Sequence, residues 1–382
     1  MHIDNVVMRA ETAPQRNRSR EPGGGVDFGE GKRVGGARSQ GELARARATL
    51  IAADVGGTHA RVALLEAEPG AGASFAILEY RKYACADHPS LGAILDDFRA
   101  AAGGGCVDRI ALALAGYVID DVVVNVNLPW TVSVSALRES LGVAELAIVN
   151  DFEAVAHAIG HIDAAGATLL SGPAEAALPG PMLVVGPGTG LGAALRIPHA
   201  PRLVVLATEA GQATLAPGTD REIEILKELR RHSSRVQIEQ VLSGGGLVNL
   251  HRAIAALRGE SAPQQTPAAI TAAALAREDA IAVEAVDVFC GWLGAVLGDL
   301  ALLYGAQGGI WLAGGVLPQM KELLLQSPFV ARFLDKGAMR PMLVRTPVRL
   351  VEHAQLGVIG AASWYFGRHP IDHIETREQS HA

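Results

Sequence analysis

Residues 53–58 read Ala53-Asp54-Val55-Gly56-Gly57-Thr58, between two apolar stretches, 49–55 and 60–65, whose patterning predicts a buried strand and its hairpin partner. Two adjacent glycines at such a turn let backbone N–H groups approach phosphate oxygens, because no β-carbon stands in the way. The Thr58 hydroxyl adds a donor, and Asp54 can face a magnesium ion or its waters. A glycine-rich hairpin turn without a ligand is the other reading of these residues. The sequence holds no GxxxxGK[ST], which excludes a P-loop NTPase on motif grounds.

The pattern returns at 186–192, Gly186-Pro187-Gly188-Thr189-Gly190-Leu191-Gly192, again between apolar stretches, 183–185 and 191–197. It lacks both the GxGxxG spacing and the following helix of a dinucleotide site. As a second phosphate-binding hairpin it pairs with the first, one loop on each side of a triphosphate in a cleft. The strand–turn–strand echo is what a duplicated ATPase-type fold would show.

Between the two loops, 145–149 reads as a short strand and 152–159 as a helix with an apolar face, with Asn150-Asp151 at the junction. A carboxylate at the C-terminal end of a strand can accept a proton from an alcohol, and an ordinary helix N-cap is the competing role for Asp151. His157 and His161 have the spacing of two metal ligands on one helical turn. No Glu follows His157, and Gly160 intervenes, so they read as surface or core histidines. Ser243 precedes three glycines but is no nucleophile elbow, since Val241 stands where GxSxG needs glycine.

The chain has 382 residues, 49% hydrophobic and 19% charged, enough to bury a large core split between two domains. Residues 1–48 carry a net charge of +3, leaving −10 for the rest of a chain whose total is −7. That acidic body argues against a nucleic-acid partner. Cys85, Cys106 and Cys290 are too few and too scattered for a disulfide framework or a zinc site, which fits a cytoplasmic location. The apolar stretch 288–317 is broken by Asp299 and two glycine pairs, and reads as a buried helix and core strand, with no membrane span. Residues 1–48, rich in Arg, Gly, Ser and Pro, are expected to be a disordered extension.

Further strands are expected at 75–83, 109–115, 118–126 and 309–313. Helices are expected at 88–102, 220–231, 246–257, 270–276, 279–304 and 355–366, the last crossing back to the first domain.

Taken together, seven ordered segments resemble the bacterial glucokinase family: 53–61 (ADVGGTHAR), 127–130 (NLPW), 150–154 (NDFEA), 186–192 (GPGTGLG), 208–217 (TEAGQATLAP), 239–250 (EQVLSGGGLVNL) and 312–316 (LAGGV). The resemblance runs from about residue 50 to about residue 365. It implies a two-lobed actin-like (ribonuclease H-like) α/β fold with an interlobe cleft. The small lobe would be 49–160 plus about 352–370, and the large lobe 161–351.

By resemblance, residues 53–58, Gly188, Thr189 and Gly190 hold the ATP phosphates and Gly314-Gly315 lies near the adenosine; Asp54, from its own chemistry, is the candidate for Mg2+ bound with ATP. Asp151 is the base, and Asn127, Asn150, Asp151, Glu209, Gln212 and Glu239 face the sugar, whose adjacent hydroxyls suit carboxylates and amides. The family usually has Glu-Gly-Gly-His where this chain has Glu209-Ala210-Gly211-Gln212, and SGPGL where it has SGGGL. Gln212 still donates and accepts but cannot titrate, which bears on sugar identity.

The implied activity is ATP-dependent phosphorylation of D-glucose to glucose 6-phosphate, feeding glycolysis. A kinase for a related hexose and a non-catalytic sugar sensor are the alternatives. A homodimer is compatible with the resemblance and with the apolar helices.

Overall fold

The structure is a computed structural model, and it describes residues 48–67, 75–103, 107–124, 128–176, 178–199 and 202–369. The expected disorder of 1–48 falls almost wholly outside the described residues, as do Cys106 and Asn127.

The stretches flanking the first glycine turn form the hairpin β1 (Thr49–Val55) and β2 (His59–Ala67), with β3 (Phe75–Ala84) antiparallel on its outer edge. The chain then forms α1 (Leu91–Ala101), whose N-cap is Ser90, and returns as β4 (Arg109–Leu114), parallel to β1. The expected single strand at 118–126 is instead a small hairpin, β5 (Tyr117–Ile119) and β6 (Val122–Val124). Asp120 and Asp121 adopt φ of +47° and +70°, the left-handed pair that a tight hairpin turn requires. After α2 (Val134–Leu141), β7 (Glu145–Asn150) lies parallel to β4 and leads into α3 (Asp151–Ala158), giving a sheet of order β3-β2-β1-β4-β7.

The second sheet repeats this arrangement. It contains β8 (Thr168–Ser171), β9 (Met182–Pro187), β10 (Leu191–His199), β11 (Arg202–Thr208), β12 (Gly309–Leu312) and β13 (Val348–Leu350), in the order β11-β10-β9-β12-β13-β8. β9, β10 and β11 form an antiparallel meander, while β12 and β13 add in parallel, as β4 and β7 do in the first sheet. The echo between the two glycine turns is thus a repeat of strand order, with β8 as an extra edge.

Side-chain alternation divides the core. Ile51, Ala53 and Val55 of β1 face Ile94, Leu95 and Phe98 of α1, whereas Leu50 and Ala52 join the core between the sheets. That central core also takes Val184 and Ala194 from the second sheet, residues of α3, and α11 (Leu356–Arg368). α11 follows β13 in the chain yet packs on β1 and β4 of the first sheet.

The remaining helices are α4 (Asp220–Leu229), α5 (Gly244–Arg258), α6 (Pro267–Ala276), α7 (Ala280–Tyr304), α8 (Lys321–Gln326), α9 (Phe329–Leu334) and α10 (Arg340–Val344). They contribute most of a third core on the other face of the second sheet. α7 is long and apolar enough to cross a membrane, but 72% of its most apolar window is buried against the protein. Its Trp292 is fully buried and donates its indole N–H to the Ala216 carbonyl at 3.0 Å.

Candidate active site

Because β1, β4 and β7 are parallel and in register, Asp54, Ala113 and Val149 stand in one row, and Val55, Leu114 and Asn150 in the next. Asp54 and the Asn150-Asp151 junction therefore share the C-terminal edge of the sheet, two strand spacings (~10 Å) apart. Open α/β sheets bind ligands at this edge.

Asn150, not Asp151, is the N-cap of α3: its Oδ1 accepts the N–H groups of Phe152 and Glu153, both at 3.0 Å. That leaves its amide NH2 to donate elsewhere. Asp151 occupies the first helical position, where its Oδ1 accepts the Phe152 N–H at 2.8 Å. Burial pushes the Asp151 carboxyl up to about 6 against that hydrogen bond, and the nearby charges of Asp54 and Glu209 push the same way. Asp151 thus feels the charges of both Asp54 and Glu209, residues 155 positions apart in the chain.

Asp54 Oδ2 lies 3.3 Å from Arg61 Nη1, its register partner on β2. Burial raises the Asp54 carboxyl, and Arg61 opposes the rise. The Asp54 side chain rests on Gly357 of α11, where a β-carbon would come within 2.4 Å of Asp54 Cγ. In the first glycine turn the Gly56 N–H donates to His59 O at 3.0 Å, and the Thr58 carbonyl accepts the Cys85 N–H at 2.9 Å.

Across from this edge, Gln212 Nε2 donates to Glu239 Oε1 at 2.7 Å, and Glu239 Oε2 accepts the Leu191 N–H at 3.4 Å. Glu239 therefore ties the 3-10 turn Ala210–Gln212 to the second glycine loop. Glu209 Oε1 accepts the hydroxyl of Tyr117 at 2.8 Å.

The second loop converges with two more glycine segments. The Gly188 carbonyl accepts the Gly244 N–H at 2.9 Å, and Gly314, at φ +94°, sits against Pro187 O. β-Carbons at Gly188 and Gly315 would meet nothing within 4 Å, so both turns face open space. Ser243 caps α5, its Oγ accepting the Gly246 N–H at 2.9 Å.

Three features escaped sequence reasoning: Tyr117, the α5 start beside Gly188, and the support of Asp54 by Gly357. Only Ser243 carried a local signal, a capping residue before a helix. His157 is pushed down to about 4 by burial, and His161, past the end of α3, pairs with Ser363 Oγ at 2.8 Å. Both are partly buried, and among the described residues no group of three His, Cys, Asp or Glu side chains could hold a metal ion by itself.

Comparison with known proteins identifies the family. A family model described as Glucokinase matches residues 51–367. A glucokinase-like protein of Xylella fastidiosa is 47% identical over 321 residues, covering 84% of this chain and 95% of its own. A glucokinase of Nitrobacter hamburgensis is 40% identical over 319 residues, covering 83% and 97%. The crystal structure of a glucokinase from an Antarctic psychrotroph superposes with a TM-score of 0.72 at 35% identity, covering 83% of this chain and 98% of that one. Fold and comparisons together define a hexose kinase of mixed α/β architecture. The chain belongs to the glucokinase family.

Proposed function

We propose that the protein transfers the γ-phosphoryl group of ATP to the 6-hydroxyl of D-glucose, with Asp151 as general base. The observation that carries this reading is the Asp151 carboxylate, held at the start of α3 and raised to about 6 by burial. A base poised there is ionised at neutral pH yet basic enough to take the hydroxyl proton as the sugar oxygen attacks phosphorus. The new O–P bond forms as the bond to the bridging oxygen of ADP breaks.

The two sheets are read as the lobes of an actin-like fold, divided as 49–160 with about 352–370 against 161–351. The sugar lies between Asp151 and the Glu209–Gln212–Glu239 group. Asn150 contributes its amide donors, and Asn127, outside the described residues, is assigned by resemblance alone. The backbone at 56–58 and 188–190 cradles the phosphates, and Gly314-Gly315 lies toward the adenosine.

ATP brings several negative charges to a site already holding carboxylates, so a divalent cation is required. Asp54 fits such an ion: a single carboxylate suits magnesium, which keeps its waters and takes its remaining ligands from phosphate oxygens. Bound there, Mg2+ would offset the charge on the transferring phosphoryl group.

The test is ADP formation with ATP, Mg2+ and glucose beside an Asp151→Ala variant. Glucose-dependent ADP that disappears in the variant supports the assignment, and full activity in the variant removes Asp151 as base. Gln212 and Ala210, which replace the usual His and Gly, favour one second reading, a related hexose as the preferred substrate. A hexose panel in the same assay decides between the two.

A further inference from the structure

Tyr117 lies outside every motif considered above, yet it bonds to a residue of the sugar group. It sits on β5, in the hairpin that follows β4 of the first sheet, whereas Glu209 follows β11 of the second. The 2.8 Å bond from the Tyr117 hydroxyl to Glu209 Oε1 links the separate β5-β6 hairpin to the segment after β11 of the second sheet, across 92 positions of sequence.

The hairpin is braced for such a contact. The Val123 N–H donates to Val132 O and the Val134 N–H to Asp121 O, both at 2.9 Å. The hydroxyls of Ser133 and Ser135 each donate to Asp121 Oδ2 at 2.6 Å. Tyr117 is itself 57% exposed, so it contributes little to the core, and what its position specifies is the reach of its hydroxyl. The bond to Glu209 also raises the phenol, which stays protonated and donating at neutral pH.

Glu209 and Glu239 are thus treated alike. Each has one carboxylate oxygen held by a neutral donor, Tyr117 for Glu209 and Gln212 for Glu239. A neutral donor orients a carboxylate without cancelling its charge; at Glu239 the second oxygen also accepts the Leu191 N–H, at 3.4 Å, whereas at Glu209 the Tyr117 hydroxyl holds Oε1.

We propose that Tyr117 is a positioning residue that sets sugar specificity, its hydroxyl holding Glu209 Oε1 so that Oε2 alone is presented to a sugar hydroxyl. The assignment rests on the reading of Glu209 as a sugar ligand. A carboxylate fixed in one rotamer distinguishes hydroxyl configurations, and one that is free to turn does not.

The experiment compares the full-length protein with Tyr117→Phe, which removes only an exposed hydroxyl. Steady-state kinetics with glucose and mannose would be run beside calorimetric titration of each sugar. The expected result is a roughly tenfold rise in glucose KM and Kd, as for loss of a hydrogen bond to a charged group, with kcat changed less than about twofold. The glucose-to-mannose ratio of kcat/KM should fall at least about threefold. In a cycle with Glu209→Gln the two effects on Kd should be markedly non-additive.

Unchanged sugar affinity and ranking in Tyr117→Phe would overturn the proposal. So would additive effects in the cycle, or equal losses in sugar and ATP parameters. If the unaltered protein bound hexose without producing ADP, the kinase reading would fail, and the titrations would still decide the role of Tyr117. Absence of hexose binding would overturn both.

Discussion

Gly192 of β10 lies directly against the ring of Phe152, so closely that a β-carbon at position 192 would stand 1.8 Å from Phe152 Cδ2. Phe152 is the next residue after Asp151, and Gly192 closes the second glycine loop. One van der Waals contact therefore locks the start of α3, which carries the proposed base, to the loop assigned to phosphate.

Gly192→Ala is expected to cost about 1–3 kcal/mol through overpacking. It should lower kcat as well, because Phe152 cannot shift without moving its neighbour. A second substitution, Phe152→Leu, should recover part of both. Thermal unfolding and steady-state kinetics on the single and double variants check this, and a single variant with unaltered kcat would show that the contact does not position Asp151.

The pH dependence follows from Asp151. As the proposed base it works ionised, so kcat/KM for glucose should fall as pH drops through about 6, the level to which burial raises it. Asp151→Asn should lower kcat about 10²–10⁴-fold and leave no acidic limb. An acidic limb that persists in the variant would assign the titration to another group.

The same raised carboxyl has a consequence for stability. Its folded value, about 6, lies above its ordinary value of 3.8, so the folded state binds more protons than the unfolded state between these limits. Stability must then fall as pH rises from about 4 to about 6, and the penalty remains above that range. Asp151→Asn should therefore raise Tm at pH 7 while abolishing activity, with little gain at pH 4. Melting curves at the two pH values test it, and a variant less stable at pH 7 would refute the argument.

Gly357 supports Asp54 from α11. In an ordinary helix interior Gly→Ala is stabilising by about 1 kcal/mol, but here the methyl group would have to displace the Asp54 carboxylate. Gly357→Ala is expected to reduce kcat/KM for magnesium-ATP roughly ten- to a hundredfold in a protein that still folds. Titration of activity against Mg2+ should show a weakened requirement site, and an unchanged profile would separate Asp54 from the metal.

Gln212→Ala leaves Glu239 Oε1 without its donor at 2.7 Å. Glucose KM should rise about tenfold, with a smaller effect on the KM for ATP. Parallel changes in both would mean that Glu239 acts through the adjoining glycine loop and not through the sugar.

What was legible in the sequence was whatever is encoded over a few residues. Hairpin alternation around Gly56-Gly57 and around 186–192, the strand-to-helix junction at Asn150-Asp151, and the long apolar α7 all depend on neighbours close in the chain. The short strands β8 and β13 were not legible, because four and three residues carry too little pattern and are specified by the sheet edges they join. At α3 the sequence left a cap as the competing role for Asp151, and the structure gives that role to Asn150. Asn150 and Asp151 are both good caps by type, and only backbone geometry chooses between them.

The sequence by itself determined the mixed α/β class, the two glycine turns and the acidic and amide side chains that surround them. Tertiary structure alone decided which of these side chains meet. It set Gly357 of α11 against Asp54, set Gln212 on Glu239 from 27 positions away, and carried Tyr117 across 92 positions to Glu209. The reason is physical. Strand and turn propensities act locally, whereas hydrogen bonds between distant segments, and the burial that raises Asp151, exist only once the two sheets have closed on their shared core.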